Sequence, residues 1–382
     1  VYTNFHSAYT YYHVISWRGI MVKRILSIDG GGIRGVIPAR ILAELERRLA
    51  AKGKTKPLYK HFDMIAGTST GGIIALGLTT PNAAGSAPVA TAADLEKLYV
   101  EKGLEIFPQG VVQKARKLVS GVEWPTYAPE PLEKILNGLL GKRKLSEALS
   151  RVLVTAYEIE ERRAVFLTGA AEGAPQGEPD YYAAQAARAT SAAPTYFPPA
   201  LITPMPPAST KAEDAELALV DGGMFANDPG LGAYTEAIKL QQAGLWDPTE
   251  RIDIVSIGTG LSTRAIPYQK AKRWGAIDWI SPGDDVPLVS ILMHGQQSTT
   301  SYQLNTLLNP PAVKLSAGVR TVPAGAPDDQ RYFRFNIKLD TKRVNDEMDD
   351  ASATNIKALQ SIADQIIKDQ SAELDAIVAR LS

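Results

Sequence analysis

The residues best suited to chemistry are Gly67-Thr68-Ser69-Thr70-Gly71-Gly72, set between the apolar runs 62–66 and 73–78. A short buried strand that enters a Gly-x-Ser-x-Gly turn and opens into a helix is a nucleophile elbow. Gly67 and Gly71 permit a strained turn that a Cβ would obstruct, and the turn thrusts the serine hydroxyl out at the strand's C-terminal end. Ser69 is therefore the candidate nucleophile. Taken alone the match is weak, because the chain's own glycine and serine content meets it easily by accident and a motif counts only with its context.

A serine nucleophile ordinarily hands its proton to a histidine that an acid orients. The chain has four histidines: His6, His13, His61 and His294. The first two fall in an atypical N-terminal stretch, His61 opens the strand before the elbow, and His294 stands in a run that reads as helix. None occupies a convincing strand-end loop. Asp221 is then the natural base: the short strand 217–220 delivers it into Gly222-Gly223, and a carboxylate within reach of Ser69 could take its proton and return it to a leaving alcohol. At its ordinary value near ~3.9 a carboxylate is a poor base, so this role needs a desolvated site. The plainer reading is a turn aspartate capping local backbone. Because an alkoxide leaves more readily than an amide nitrogen, esters are favoured over peptides.

Asp29-Gly30-Gly31-Gly32-Ile33-Arg34-Gly35 follows a β-favouring run at 24–28 and precedes a helix that begins near Pro38. Gly30-x-Gly32-x-x-Gly35 fits a dinucleotide-binding fingerprint, which expects an acidic residue to close the second strand. Here the second strand closes on Gly67-Thr68-Ser69. The favoured reading has backbone N–H groups of the loop, at a helix N-terminus, facing the elbow and stabilising a developing oxyanion. A glycine turn without chemical role is the third reading. Ser191 lacks a flanking glycine turn and is read as packing.

The elements that must hold these residues alternate strand and helix. Ile41, Leu42, Leu45 and Leu49 make an apolar stripe on the first helix, and helices are expected at 91–103, 132–140, 182–193 and 232–242. Strands are expected at 151–157, 164–167, 251–258 and 331–337, with loops at 79–89 and 169–180. The strongly apolar strand 251–258 suits a central place in a parallel sheet. Residues 351–381 read as one long helical tail whose stripe, Ile356, Leu359, Ile362, Ile366, Leu374, Ile377 and Leu381, suits core packing more than a coiled coil. Residues 107–124 and 268–280 mix basic and apolar side chains. Each reads either as a lipid-facing surface, the second also as a lid, or as an element packed on the core.

Composition narrows the class. Lys+Arg and Asp+Glu are both 41, so no whole-chain field argues for nucleic acid. There is no cysteine, which excludes disulfides, thiolate chemistry and cysteine-based zinc sites and leaves the compartment open. No apolar run approaches the ~18 residues that span a bilayer, so contact with lipid would be peripheral. Residues 1–20 lack the continuous apolar stretch of a signal peptide and are expected to lie outside the core.

Four ordered motifs, Asp-Gly-Gly-Gly-Ile-Arg-Gly at 29–35, Gly-Thr-Ser-Thr-Gly-Gly at 67–72, Thr-Ser-Ala-Ala-Pro-Thr-Tyr-Phe at 190–197 and Val-Asp-Gly-Gly at 220–223, resemble those of the patatin-like phospholipase family across about 25–260, and Ser-Ile-Gly-Thr-Gly at 256–260 extends the match. The resemblance implies an α/β protein with a three-layer α/β/α fold and a mostly parallel central sheet. It implies a calcium-independent lipid acyl hydrolase without cofactor or metal, with a Ser-Asp dyad carried onto Ser69 and Asp221. An oxyanion hole is carried onto Gly30, Gly31, Gly32 and Arg34. A catalytic unit over 21–345 with a C-terminal helix at 346–382 packed on it is the expected organisation. Partners would be a phospholipid or other fatty acyl ester and a peripheral membrane or micelle surface. The place would be cytoplasmic or peripheral to a membrane, with secretion open. A nucleotide-binding protein using the loop 30–35 and a catalytically silent protein of the same fold are the alternatives.

Overall fold

A computed structural model describes residues 21–109, 125–169, 179–205, 216–280, 286–309 and 330–381. The N-terminal stretch 1–20 and most of the basic segment 107–124 lie outside the described residues. The strands are β1 (Val22–Ile28), β2 (Met64–Gly67), β3 (Arg151–Glu158), β4 (Arg163–Gly169), β5 (Ala200–Ile202), β6 (Leu217–Asp221), β7 (Arg251–Ile257), β8 (Leu261–Ser262), β9 (Tyr332–Phe335) and β10 (Lys338–Leu339). The helices are α1 (Val36–Ala51), α2 (Thr70–Thr79), α3 (Ala92–Ile106), α4 (Glu130–Leu140), α5 (Ala183–Thr190), α6 (Gly223–Ala226), α7 (Gly230–Gln242), α8 (Tyr268–Ala271), α9 (Ala276–Ile280), α10 (Pro287–Leu308), α11 (Ala353–Asp369) and α12 (Ser371–Arg380).

β3, β2, β1, β7 and β9 lie side by side and parallel. Their side chains alternate between two cores, as the period of two demands. Leu26, Ile28, Ile65, Val152, Val154, Val255 and Ile257 enter the larger core, beneath α1, α2, α3, α4, α5, α11 and α12. Ile25, Met64, Ala66, Leu153, Ile252 and Ile254 face the other, against α7 and α10. The result is the expected α/β architecture, a mostly parallel sheet between two helical layers. Strands covered on both faces are continuous apolar runs for the same reason.

The antiparallel strands explain how the site is assembled. β4 runs along one edge of β3, from Val152 opposite Gly169 to Glu158 opposite Arg163. β2 occupies the other edge and stops where Gly67 meets Val154. β6 takes over that same edge from the opposite direction, ending where Asp221 meets Ala156. Two strand ends therefore point at each other across Thr155.

The helices follow their sequences. Thr91 caps α3 with a reciprocal bond to Asp94, and α2, buried at every position, runs through the larger core. The tail is two helices, not one: α11 and α12 meet at Gln370, which lets Ile356, Leu359, Ile362 and Ile366 from the first, and Leu374, Ile377 and Leu381 from the second and its end, all enter the core. Truncating one such fully buried leucine, as in Leu359→Ala, costs about 2–5 kcal/mol.

Candidate active site

Ser69 has φ 53° and ψ −123°, a conformation that costs a non-glycine residue about 1–3 kcal/mol and persists only where its surroundings enforce it. The enforcement is visible. The Ser69 N–H donates to Thr190 Oγ1 at 2.9 Å. Thr68 Oγ1 bonds Thr155 Oγ1 and the Ala226 carbonyl, both at 2.7 Å. A Cβ on Gly71 would drive into the Ile28 carbonyl, so the elbow sits directly on the end of β1.

Asp221 is 3% exposed at the end of β6. The Gly223 N–H donates to its Oδ1 at 2.7 Å, and its own N–H donates to the Ala192 carbonyl at 3.0 Å. Burial raises the carboxyl from an ordinary 3.8 to about 7, opposed by hydrogen bonds from the Ser69 hydroxyl and the Gly223 N–H. The structure thus brings Ser69 and Asp221 together, and the desolvation that a carboxylate base requires is present. Asp221 also caps the turn that follows it, so the plainer reading of this residue describes part of its bonding.

The glycine loop needs two corrections. The Gly30 N–H donates to the Asn227 carbonyl at 3.0 Å, which removes it from the set of free donors. The N–H groups of Gly31 and Gly32 have no partner among the described residues. The Arg34 side chain is buried, and its Nε donates to the Gly31 carbonyl at 3.4 Å. The Arg34 backbone N–H donates to that same carbonyl at 3.2 Å and so is not a free donor, and Arg34 is not on the wall of the cavity that holds Ser69. The loop is pinned elsewhere too: Thr259 Oγ1 donates to the Gly30 carbonyl at 2.6 Å, and the Ile33 N–H donates to the Met348 carbonyl at 2.9 Å. Gly32 has φ +58°, and a Cβ there would meet that same carbonyl.

Sequence reasoning missed what holds the loop in place. Asp29, buried, receives Arg334 on both oxygens at 2.8 and 2.5 Å and Gln297 Nε2 at 2.9 Å. Burial raises its carboxyl while Arg334 pulls the other way. Arg334 also donates to Ser256 Oγ at 2.7 Å and faces Asp228 at 3.4 Å. Ser27 Oγ donates to Asp228 Oδ1 at 3.0 Å. Asp29 heads the quoted motif, which was the available signal; nothing in the sequence joins it to Arg334.

Ser69, Asp221, Gly32 and Gly223 line a cavity whose remaining wall is mostly apolar, with Ile73, Ile106, Phe107, Leu132, Phe197, Met224, Val289, Met293 and Met348 beside Thr70, Tyr99 and Ser191. Ser191 lies on the wall, but its Oγ donates to the Ala187 carbonyl at 2.7 Å, as packing requires. His61 is buried before β2. His294 has Arg34 and Asp346 as its charged neighbours, and burial followed by Arg34 lowers it to about 4. Such an arrangement can move a proton from a hydroxyl to a carboxylate at the wall of a largely apolar slot.

The chain is similar to known proteins. The family described as Patatin-like phospholipase matches residues 26–234, more than half of the chain. Patatin-like protein 1 of Arabidopsis thaliana is 30% identical over 355 residues, covering 90% of this chain and 81% of that protein. Patatin-like protein 2 of the same plant is 34% identical over 302 residues, covering 74% and 71%. A Solanum tuberosum protein named "Probable inactive patatin-3-Kuras 1" is 29% identical over 359 residues, covering 90% and 86%.

Proposed function

This chain belongs to the patatin-like phospholipase family, and from that premise we propose that it is a lipid acyl hydrolase cleaving fatty acyl esters through Ser69, Asp221 and an acyl-enzyme intermediate. The observation that carries the reading is the pairing of the strained Ser69 with a buried carboxyl raised to about 7. Asp221 accepts the hydroxyl proton as Ser69 Oγ attacks the ester carbonyl carbon. The carbonyl oxygen takes the negative charge and is held by the Gly31 and Gly32 N–H groups. Collapse breaks the ester C–O bond, and the alcohol leaves with the proton held on Asp221. Water then repeats the sequence: Asp221 takes its proton, the hydroxide oxygen bonds the acyl carbon, and Ser69 leaves reprotonated. No cofactor takes part.

The apolar wall suits an acyl chain, which supports a phospholipid or similar fatty acyl ester as substrate. Nucleotide binding by the loop 30–35 is disfavoured because Asn227 and Thr259 hold both backbone polar groups of Gly30 and the Met348 carbonyl takes the Ile33 N–H and lies against Gly32. A catalytically silent protein of this fold is a real competitor, since a relative of similar identity carries "inactive" in its name. Turnover of a soluble fatty acyl nitrophenyl ester decides between them. Ser69→Ala and Asp221→Asn should each abolish it with the fold intact, and a fluorophosphonate should label Ser69. Full activity in either variant, or a label on another serine, overturns the assignment.

A further inference from the structure

We propose that Ile106, Phe107, Leu132 and Phe197 are specificity-determining residues that stop the acyl chain and limit it to about four to six carbons. The proposal rests on the lipid-hydrolase reading above and narrows its substrates to esters of short fatty acids. Burial tells the two ends of the cavity apart. Gly32, Met224, Val289 and Met348 are half-buried and mark its mouth. Ile106, Phe107, Leu132 and Phe197, which also line it, are buried and mark its closed end. With the ester carbon at Ser69, one arm of the substrate runs toward each end. A polar head group drawn into the buried end would lose its water without gaining partners. The acyl arm is therefore the one that goes in, and the alcohol stays at the mouth.

The closed end is braced. Tyr127, which is off the cavity wall, meets the Phe107 ring edge to face at 5.4 Å and the Phe197 ring at 5.8 Å, while those two rings are 6.0 Å apart. Tyr127 Oη donates to the buried Asp349 Oδ2 at 2.7 Å, and the Tyr127 N–H donates to the Tyr196 carbonyl at 2.8 Å. Arg188 lies over the Phe197 ring at 5.8 Å. Displacing the aromatic group for a longer chain would disturb all of these contacts together. At the mouth, Met224 and Met348 present flexible thioether side chains that adapt to different alcohols. The cavity volume is about 60 Å³, and a water-sized group needs roughly 10–15 Å³ of such space. A methylene is close to a water in size, so about four to six carbons fill the slot.

The test measures kcat/KM of the full chain on nitrophenyl esters from acetyl to decanoyl. It should climb about fourfold per methylene while the slot fills, peak between butanoyl and hexanoyl, and fall at least about tenfold by decanoyl. Leu132→Ala should raise the decanoyl-to-butanoyl ratio at least about tenfold, and Leu132→Val, a smaller excision, should move it in the same direction. Leu136→Ala removes the same atoms one turn along α4, at a buried position off the cavity wall, and should leave that ratio where it was. A parent that prefers decanoyl, or a ratio that both Leu132 variants leave unmoved or that Leu136→Ala moves equally, overturns the stop and keeps the hydrolase. A second measurement needs no turnover. Neutral fatty amides of the same lengths should raise the melting temperature of the Ser69→Ala chain most at about four to six carbons, and adding Leu132→Ala should move that maximum to longer chains. A parent inert on every ester with this amide profile present sinks the hydrolase reading and keeps the slot, whereas an amide profile without a maximum, or one that Leu132→Ala does not move, overturns the slot.

Discussion

Gly67 and Asp221 sit on the same edge of β3, opposite Val154 and Ala156, so the strand that leads to the serine and the strand that carries the aspartate end facing each other. Thr155 fills the junction: its hydroxyl bonds Thr68 at 2.7 Å, and a Cβ on Gly222 would collide with it.

Thr155→Val keeps the shape of the junction and removes the hydroxyl. Thr68 keeps the Ala226 carbonyl as a partner, so the expected stability loss is modest, about 1 kcal/mol. Turnover should fall well beyond what that loss explains, with Thr155→Ser restoring most of it. Parallel measurement of kcat and denaturant midpoint separates the two effects.

The acid limb of activity should report Asp221. A general base must be ionised, and burial holds this carboxyl near about 7. With an uncharged nitrophenyl ester, kcat/KM should rise with pH through an apparent value of about 7 and then level. A profile flat through that region would show that another group takes the proton.

Stability should move the other way. The folded-state value of about 7 lies above the ordinary 3.8, so the contribution of protonated Asp221 is complete below the lower value and lost as pH rises through the upper one. Asp221→Asn cannot ionise. It should match the parent in acid and exceed it above neutrality by at most about 4 kcal/mol. Urea midpoints on either side of the transition check the sign.

The buried pair behind the glycine loop predicts non-additive losses. Arg334→Met leaves Asp29 without its bidentate partner and should cost about 3–5 kcal/mol. Adding Asp29→Asn should recover part of that stability. Arg334→Lys keeps the charge and loses the fork, so its signature should be a lower kcat at nearly unchanged KM as the loop loosens. A double-mutant cycle with both kinetic and thermal readouts tests the pair.

How much of this could be read from the chain depended on range. Ser69, its flanking glycines, and the strands around them are local patterns, and they lie where the periodicity puts them. Asp221 followed from elimination, because a serine without a histidine needs another base. Placing it beside Ser69 was beyond local reasoning, since that depends on β6 meeting β3 antiparallel on the edge β2 vacates. The Gly30 N–H was misassigned for a similar reason: its partner, Asn227, is distant in sequence and binds through its backbone, which no side-chain pattern signals. Arg334 lies in a strand that is legible from its alternation, yet its grip on Asp29 spans 305 positions. The single tail helix failed at Gln370 because the apolar stripe continues in phase through a break that carries neither glycine nor proline.

That spread along the chain has a kinetic consequence. The loop at Asp29, the elbow at Ser69, the base at Asp221 and the clamp at Arg334 come together only when β1 pairs with β2 and β7, β7 with β9, and β3 with β2 and β6. Contacts closing such long loops form slowly, because chain entropy is lost before they repay it. A nascent or refolding chain can build α1 or the β3–β4 hairpin early and still have no site. Recovery of ester turnover therefore times the last long-range docking events of folding, and should lag behind the return of helical circular dichroism.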